Sequence, residues 1–208
     1  KLMGERLITA ANVLNKGQGT IFASTRFGNV AGSRGSVIPV FIRQIAEGGP
    51  VTLTDKDMTR FLMTLEQSTT LLLESMVAAC GGESFVTKMP VFRILDLAEV
   101  MIDLLAPCFG HKSTDIDIVE IGVRAGEKMF EELVTDEEIA RTYEHENLLV
   151  VLPAFRNIYD KIDYNMHIQN GKPLVQAYHS ANESTASKQE ISDFLRQVDE
   201  IDLLIKKN

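Results

Sequence analysis

Leu2, Leu7, Ile8, Ala11 and Leu14 fall on one face of a 3.6-residue repeat, so residues 2–15 predict an amphipathic helix, stopped at Lys16-Gly17. Residues 20–25 (TIFAST) follow as a short strand apolar on both faces, the habit of a buried parallel strand. A Gly-rich polar loop over 26–36 leads into a predicted helix at 37–46, with Pro39 tolerated in its first turn. Residues 51–54 (VTLT) read as a strand and DKDMTRF as an acidic loop. Thr64 to Gln67 forms a capping box for a helix reaching about Ala79, ended by Gly81-Gly82.

Further along, 84–87 predicts a strand, 94–105 an amphipathic helix and 115–121 a half-exposed alternating strand. GVRAGEKMFEEL reads as a loop opening a short helix, and Thr135 to Glu138 as a second capping box. From 155 to 187 the periodicity fades, which predicts an irregular wrap or mobile tail. Ser187 to Glu190 is a third capping box, starting one helix at about 188–205 with Ile191, Phe194, Leu195, Val198, Ile201 and Ile205 on one side. Alternating strands and helices make the class α/β with parallel pairing.

Composition narrows the function classes. The 208 residues are 45% hydrophobic and 24% charged, ordinary for a globular chain. No apolar run approaches the ~20 residues of a spanning helix. With 21 Lys+Arg against 29 Asp+Glu the net charge is −8, which disfavours nucleic acid as a partner. Residues 131–146 carry seven carboxylates against Arg141, or −6 of that −8, and read as a solvated acidic face. The remainder is near neutral, leaving room for an anion site. Cys80 and Cys108 form no CxxC pair, which suits a reducing cytosol. Four scattered histidines offer no metal-ligand spacing, so no metal is expected.

Arg26, Arg34, Arg60 and Arg124 stand in loops after strands. Such loops ring the ligand crevice of an open α/β sheet, and forked guanidinium donors with close-approaching glycine backbone suit phosphate. The competing reading is four surface ion pairs. The loops alone specify no reaction.

The runs RFGNVAGSRGSVIPVFIRQI, GGPVTLTDKDMTRFLMTL, GGESFVTKMPVFRILDLAEVM and IGVRAGEKMFEELVTDEE, in order over residues 1–146, resemble the polysaccharide-biosynthesis branch of extended short-chain dehydrogenases/reductases. That branch includes UDP-N-acetylglucosamine 4,6-dehydratases and UDP-sugar 4-epimerases. The resemblance implies the C-terminal part of a Rossmann-type parallel sheet with a small α/β substrate-binding lobe. Residues 1–50 would hold the last elements of the NAD(P)-binding domain. Residues 51–146 would form the substrate lobe, with elements returning to the sheet, and 147–208 a C-terminal extension. KLMGERL continues the family's Tyr-x-x-x-Lys helix, so Lys1 matches the catalytic lysine that binds the nicotinamide ribose and lowers the tyrosine pKa.

By the same resemblance Phe27, Gly28 and Val30 border the cofactor, and Asn29 contacts substrate or supplies a turn. Arg34, Ser36 and Val37 border UDP, Val37 being equally a first core residue of its helix. Thr52 is a uridine contact or a bland strand threonine. Arg60 reaches a phosphate or pairs with Asp55 or Asp57. Arg124 clamps the diphosphate and Glu127 accepts from the ribose hydroxyls, or the two form a loop salt bridge. Ala125 replaces the family's usual proline, and Phe130 a common histidine or tyrosine.

The implied reaction is oxidation at C4 of a UDP-HexNAc by NAD or NADP. A dehydratase then eliminates water across C5–C6; an epimerase returns hydride to the opposite face of C4. Either implies a cytoplasmic homo-oligomer acting on a UDP-sugar, with no membrane contact from this segment, although some family members carry a membrane-anchored N-terminal region. The family's glycine-rich dinucleotide loop has no counterpart here, so the 208 residues by themselves are expected neither to hold NAD(P) tightly nor to turn over. A noncatalytic UDP-sugar-binding module is the rival reading.

Overall fold

The computed structural model describes residues 1–14, 19–33, 35–123, 126–154 and 162–207. Its first stretch contains α1 (Leu2–Leu14), β1 (Ser24–Arg26), β2 (Asn29–Val30), α2 (Val37–Ala46), β3 (Val51–Leu53) and β4 (Thr59–Met63). Next come α3 (Leu65–Ala78), β5 (Ser84–Thr87), β6 (Val91–Arg93), α4 (Ile94–Leu105), β7 (Ile118–Glu120) and β8 (Glu132–Val134). The last elements are β9 (Thr142–Glu144), β10 (Leu148–Val151), α5 (Asn165–Asn170), β11 (Lys172–Pro173), β12 (Tyr178–His179), α6 (Lys188–Leu195) and α7 (Asp199–Lys206). Among the described residues no helix is long and apolar enough to cross a membrane.

Two units share these elements. The first comprises Lys1–Phe27, Glu66–Lys88 and Glu132–His179, and the second Gly28–Leu65, Met89–Glu131 and Ser180–Asn208. Segments 1–50, 51–146 and 147–208 each contribute to both.

In the first unit five strands form one sheet in the order β1-β5-β10-β9-β11, with β1 and β5 parallel and the remaining pairs antiparallel. Leu71, Phe85, Val150, Leu152 and Tyr164 bury a common apolar cluster against it. β10 grows from the apolar run at Leu148, and its pairing with both β5 and β9 explains why three consecutive residues, Leu149 to Val151, are buried. By contrast, α1 leaves Leu2, Met3, Leu7 and Leu14 mostly exposed.

The second unit holds the larger core. α2 and α4 present Ile38, Phe41, Ile45, Leu97, Met101 and Leu105 at helical spacing, and all are fully buried. Around them lie a three-stranded sheet, β2-β4-β6, and the parallel pair β3-β7. α6 begins at the expected capping box: Ser187 Oγ accepts from the Glu190 N–H, and the Glu190 carboxylate accepts from the Ser187 N–H.

Several expectations need correction. The segment read as an acidic loop ends in strand β4, which pairs with β2 and β6 and is buried over Phe61–Met63. GVRAGEKMF does not open a helix directly; EELV contains strand β8, paired with β12, and the Thr135–Glu138 capping box then starts a short 3-10 helix at Asp136–Arg141. The tail is not irregular where it is described, since α5, β11 and β12 lie within it; 155–161 fall outside the described residues. The single helix at 188–205 is two, because Val198 is extended (φ −88°, ψ 111°) and restarts the chain as α7. The acidic block is not one solvated face, since Glu138 is buried and Glu131 half-buried.

Candidate functional site

In the second unit Asn29, Ser36, Val37, Thr52, Arg60 and Glu127 line one cleft of about 280 Å³. All six are among the residues that the family resemblance assigns to substrate. Arg34 and Arg124, from the same expectation, lie outside the described residues.

Each side chain is held by its local fold. Thr52 sits in β3, beside α2. The Gln44 amide donates to Thr52 Oγ1 (2.7 Å) while its oxygen accepts the Thr52 N–H (3.1 Å), fixing the threonine rotamer. Gln44 was not anticipated. Its signal is a polar, uncharged residue between the buried Ile42 and Ile45, next to the exposed Arg43. Glu127 accepts from the Thr54 hydroxyl at 3.0 Å. Asn29 donates to Glu131 Oε1 (2.8 Å), whose other oxygen accepts the Phe61 N–H (3.0 Å); Glu131 thus ties β2 to β4 from a stretch read only as surface charge.

Arg60 forms no ion pair with Asp55 or Asp57. Its guanidinium donates to the carbonyls of Thr59 (2.8 Å), Lys128 (2.6 Å) and Met129 (3.2 Å), anchoring the loop that carries Glu127. Three of its five N–H groups are thereby used, and the other two have no partner among the described residues. Burial lowers its pKa, opposed by the charges of Glu131 and Glu127, yet guanidinium stays charged at any physiological pH. Ser36 precedes α2 as its N-cap but makes no capping bond, and its buried Oγ has no partner among the described residues. A cleft wall therefore offers a spare hydroxyl at a helix N-terminus, a partly committed cation and a carboxylate. Phosphate and sugar hydroxyls match that set.

Gly28 and Val30 belong to this unit as well. A Cβ on Gly28 would stand 2.8 Å from Met89 Sδ and from the Phe61 carbonyl oxygen, so packing requires the glycine. Val30 is half-buried in β2, opposite Met63.

In the first unit Lys1 is exposed at the head of α1, with no ion pair among the described residues, and Phe27 is 38% exposed. Arg26, expected in a loop, is instead the last residue of strand β1 and is not available to an anion. It donates from Nε and Nη2 to Glu5, from Nη1 and Nη2 to Glu138, and from Nη1 to the Leu133 carbonyl, which uses all five N–H groups. For this arginine the ion-pair reading is the correct one. Burial alone would raise the Glu138 pKa, but the bonds and charge of Arg26, with the Thr135 N–H and Arg141, hold it at about 2.

Residues 1–153 match the family described as "Polysaccharide biosynthesis protein". The chain is 33% identical over 205 residues to a UDP-N-acetylglucosamine 4,6-dehydratase (inverting) of Campylobacter jejuni, covering 96% of this chain and 58% of that protein. It is 35% identical over 202 residues to a UDP-glucose 4-epimerase of Rickettsia bellii, covering 96% and 56%. The crystal structure of Pen from Bacillus thuringiensis superposes with a TM-score of 0.81 at 40% identity, over 94% of this chain and 55% of that one. The chain thus spans a little over half the length of the relatives it matches. With a family match over most of its length and the same fold in a solved structure, the chain belongs to the polysaccharide-biosynthesis branch of the extended short-chain dehydrogenases/reductases.

Proposed function

We propose that the cleft of the second unit holds the UDP moiety of a nucleotide sugar, and that the whole protein is an NAD(P)-dependent UDP-N-acetylglucosamine 4,6-dehydratase. The observation that carries this is the gathering of Arg60, Ser36 and Glu127 on one cleft, where the Ser36 hydroxyl and two Arg60 N–H groups have no partner among the described residues. Arg60 and Ser36 donate to phosphate oxygens, with Arg34 and Arg124 assigned the same role from the family motif. Glu127 accepts from ribose hydroxyls, and Gln44 keeps Thr52 aimed for the base. The 4-epimerase is the alternative within the family, favoured by the Rickettsia relative. Both reactions need this same hold on UDP.

The residues matched to the cofactor's nicotinamide end fit that role unevenly. Lys1 is an exposed cation with no ion pair among the described residues, suited to ribose hydroxyls, and Phe27 is exposed beside the end of β1. The space above Gly28 is already taken by Phe61 and Met89. Bound NAD(P) supplies reversible hydride acceptance at the sugar C4. Lys1 contributes binding and a nearby positive charge that eases proton loss from a tyrosine acid/base.

Calorimetric titration of the whole protein with UDP tests the reading. Substituting Arg60→Ala or Arg124→Ala should each weaken binding by about 1.5–3 kcal/mol, the range for a charge-assisted hydrogen bond. Ser36→Ala should cost less, because a neutral donor is lost. Affinity unchanged in all three variants would remove UDP from this cleft. Product analysis with UDP-N-acetylglucosamine then separates the chemistries: a 4-keto-6-deoxy sugar for the dehydratase, a C4 epimer for the alternative, and neither for a binding module.

A further inference from the structure

The first unit contains a further cluster, which shares no residue with the cleft of the second unit. Cys80, Glu83 and His167 each place a donor atom within 4.8 Å of the others. Linear spacing hides the set, since 84 residues separate Glu83 from His167; turn and fold assemble it. The turn after α3 supplies Cys80 and Glu83, and α5 supplies His167.

The turn holds the carboxylate rigidly. Glu83 is fully buried, with Oε1 accepting the Cys80 N–H (2.7 Å) and Oε2 the Gly81 N–H (2.6 Å). The Tyr164 hydroxyl donates to the Gly81 carbonyl (2.6 Å) and pins the segment leading into α5 to the same turn. His167 is 2% exposed, and its ring meets Phe85 and His145 edge-on at 5.9 Å each. Cys80 is half-buried, leaving one side of the cluster open.

The separations are informative. His167 Nε2 lies 3.4 Å from Glu83 Oε1 and 3.8 Å from Cys80 Sγ. The first exceeds the ~2.7–3.2 Å of a well-made N–H···O bond, although both groups are buried. Donors arranged tetrahedrally around a single ion, with bonds of about 2.0–2.3 Å, stand about 3.3–3.6 Å from one another. The Glu83–His167 separation of 3.4 Å matches such an edge, and the 3.8 Å between His167 and Cys80 is slightly longer.

We propose that Cys80, Glu83 and His167 bind one thiophilic divalent cation of the Zn2+ type, with water completing the shell on the open side of Cys80. One sulfur, one nitrogen and one oxygen suit zinc and disfavour magnesium or calcium, which take oxygen shells. Bound there, the ion clasps the turn after α3 to α5 and stabilises this unit; it has no part in the sugar chemistry.

Cobalt(II) titration of the intact protein, followed by absorption, tests this directly. A thiolate-to-cobalt charge-transfer band together with the intense visible bands of tetrahedral cobalt should saturate at a single equivalent. Added Zn2+ should erase both, and excess Mg2+ neither. Cys80→Ser should abolish the charge-transfer band, and His167→Gln should weaken cobalt binding upwards of about tenfold, the least that even outer-shell partners of a metal contribute. Cys108→Ser should leave the spectrum unchanged. Zn2+ should raise the unfolding temperature of the unaltered protein, because it binds only the folded site. Absence of the charge-transfer band in the unaltered protein overturns the proposal before any variant is made. So does a band that survives Cys80→Ser.

Discussion

Replacing Arg26 by alanine should cost about 3 kcal/mol of stability, measured by urea unfolding, the low end of what removing one partner of a buried ion pair does. The side chains of Arg26 and Glu138 are 16% and 10% exposed, and if Arg26 is lost Glu138 keeps Arg141 (3.0 Å) as its one cation among the described residues, beside the Thr135 N–H. Arg26→Lys should recover little. One ammonium has three donors and no fork, whereas Arg26 serves two carboxylates bidentately and a carbonyl as well. The pH dependence gives an independent reading. The Glu138 carboxyl sits at about 2 against an ordinary 4.5, so its ionised form is favoured by folding. That contribution, about 3 kcal/mol, is present in full above pH ~4.5 and drains away as the pH falls towards ~2. In Arg26→Ala the acid limb of the stability profile should flatten. An unfolding midpoint equal to that of the unaltered protein would show that this network is ornamental. Because Glu5 lies one helical turn beyond Lys1, and its N–H bonds the Lys1 carbonyl, the same variant should also loosen the head of α1. Hydrogen exchange over residues 2–8 reports that loosening separately from global unfolding.

How much of this was readable from residues alone varied with the physics. α2 and α4 were legible to the residue, because apolar spacing, a Pro in the first turn of one and a Pro after the other all agree. β4 was not. Its residues TRFLM follow an acidic turn and are buried on consecutive positions, so the alternation that betrays a strand is missing; only pairing on both sides makes it one. β8 failed for a related reason. Glu131 and Glu132 look like helix-start charges, yet Glu131 is drawn off by Asn29, the Phe61 N–H and Ser180, partners far away in sequence. The tail broke at Val198, where the apolar face continues unbroken across an extended residue and so conceals the break. For the candidate site, the arginine loops pointed to the cleft, but the fate of each arginine depended on tertiary partners: Arg26 is spent on carboxylates, whereas Arg60 keeps two donors. Gln44 and the Cys80 cluster could be found only once α2 and β3, or the turn and α5, were side by side.

Gly28→Ala separates packing from ligand approach in the family's FGNV motif. The register of β2 against β4 sets Asn29 opposite Leu62, which brings Gly28 alongside Phe61. There an added Cβ would lie 2.8 Å from the Phe61 carbonyl oxygen and 2.9 Å from its Cβ, as well as 2.8 Å from Met89 Sδ. The methionine sulfur can swing away, but the carbonyl is tied into a strand paired on both sides. Overpacking of that kind costs about 1–3 kcal/mol, and contact with backbone puts this case at the upper end. The unfolding midpoint of Gly28→Ala should therefore fall even with no nucleotide or sugar present. Trimming Met89 in the same variant should recover only the sulfur contact, giving a coupling between the two sites while leaving most of the loss in place. If the glycine instead served only to let a cofactor come close, Gly28→Ala would unfold like the unaltered protein and lose nothing but nucleotide affinity. The 2.8 Å separation from Phe61 O predicts the opposite: a motif glycine held by its own neighbour strand, whose loss is felt first by the fold.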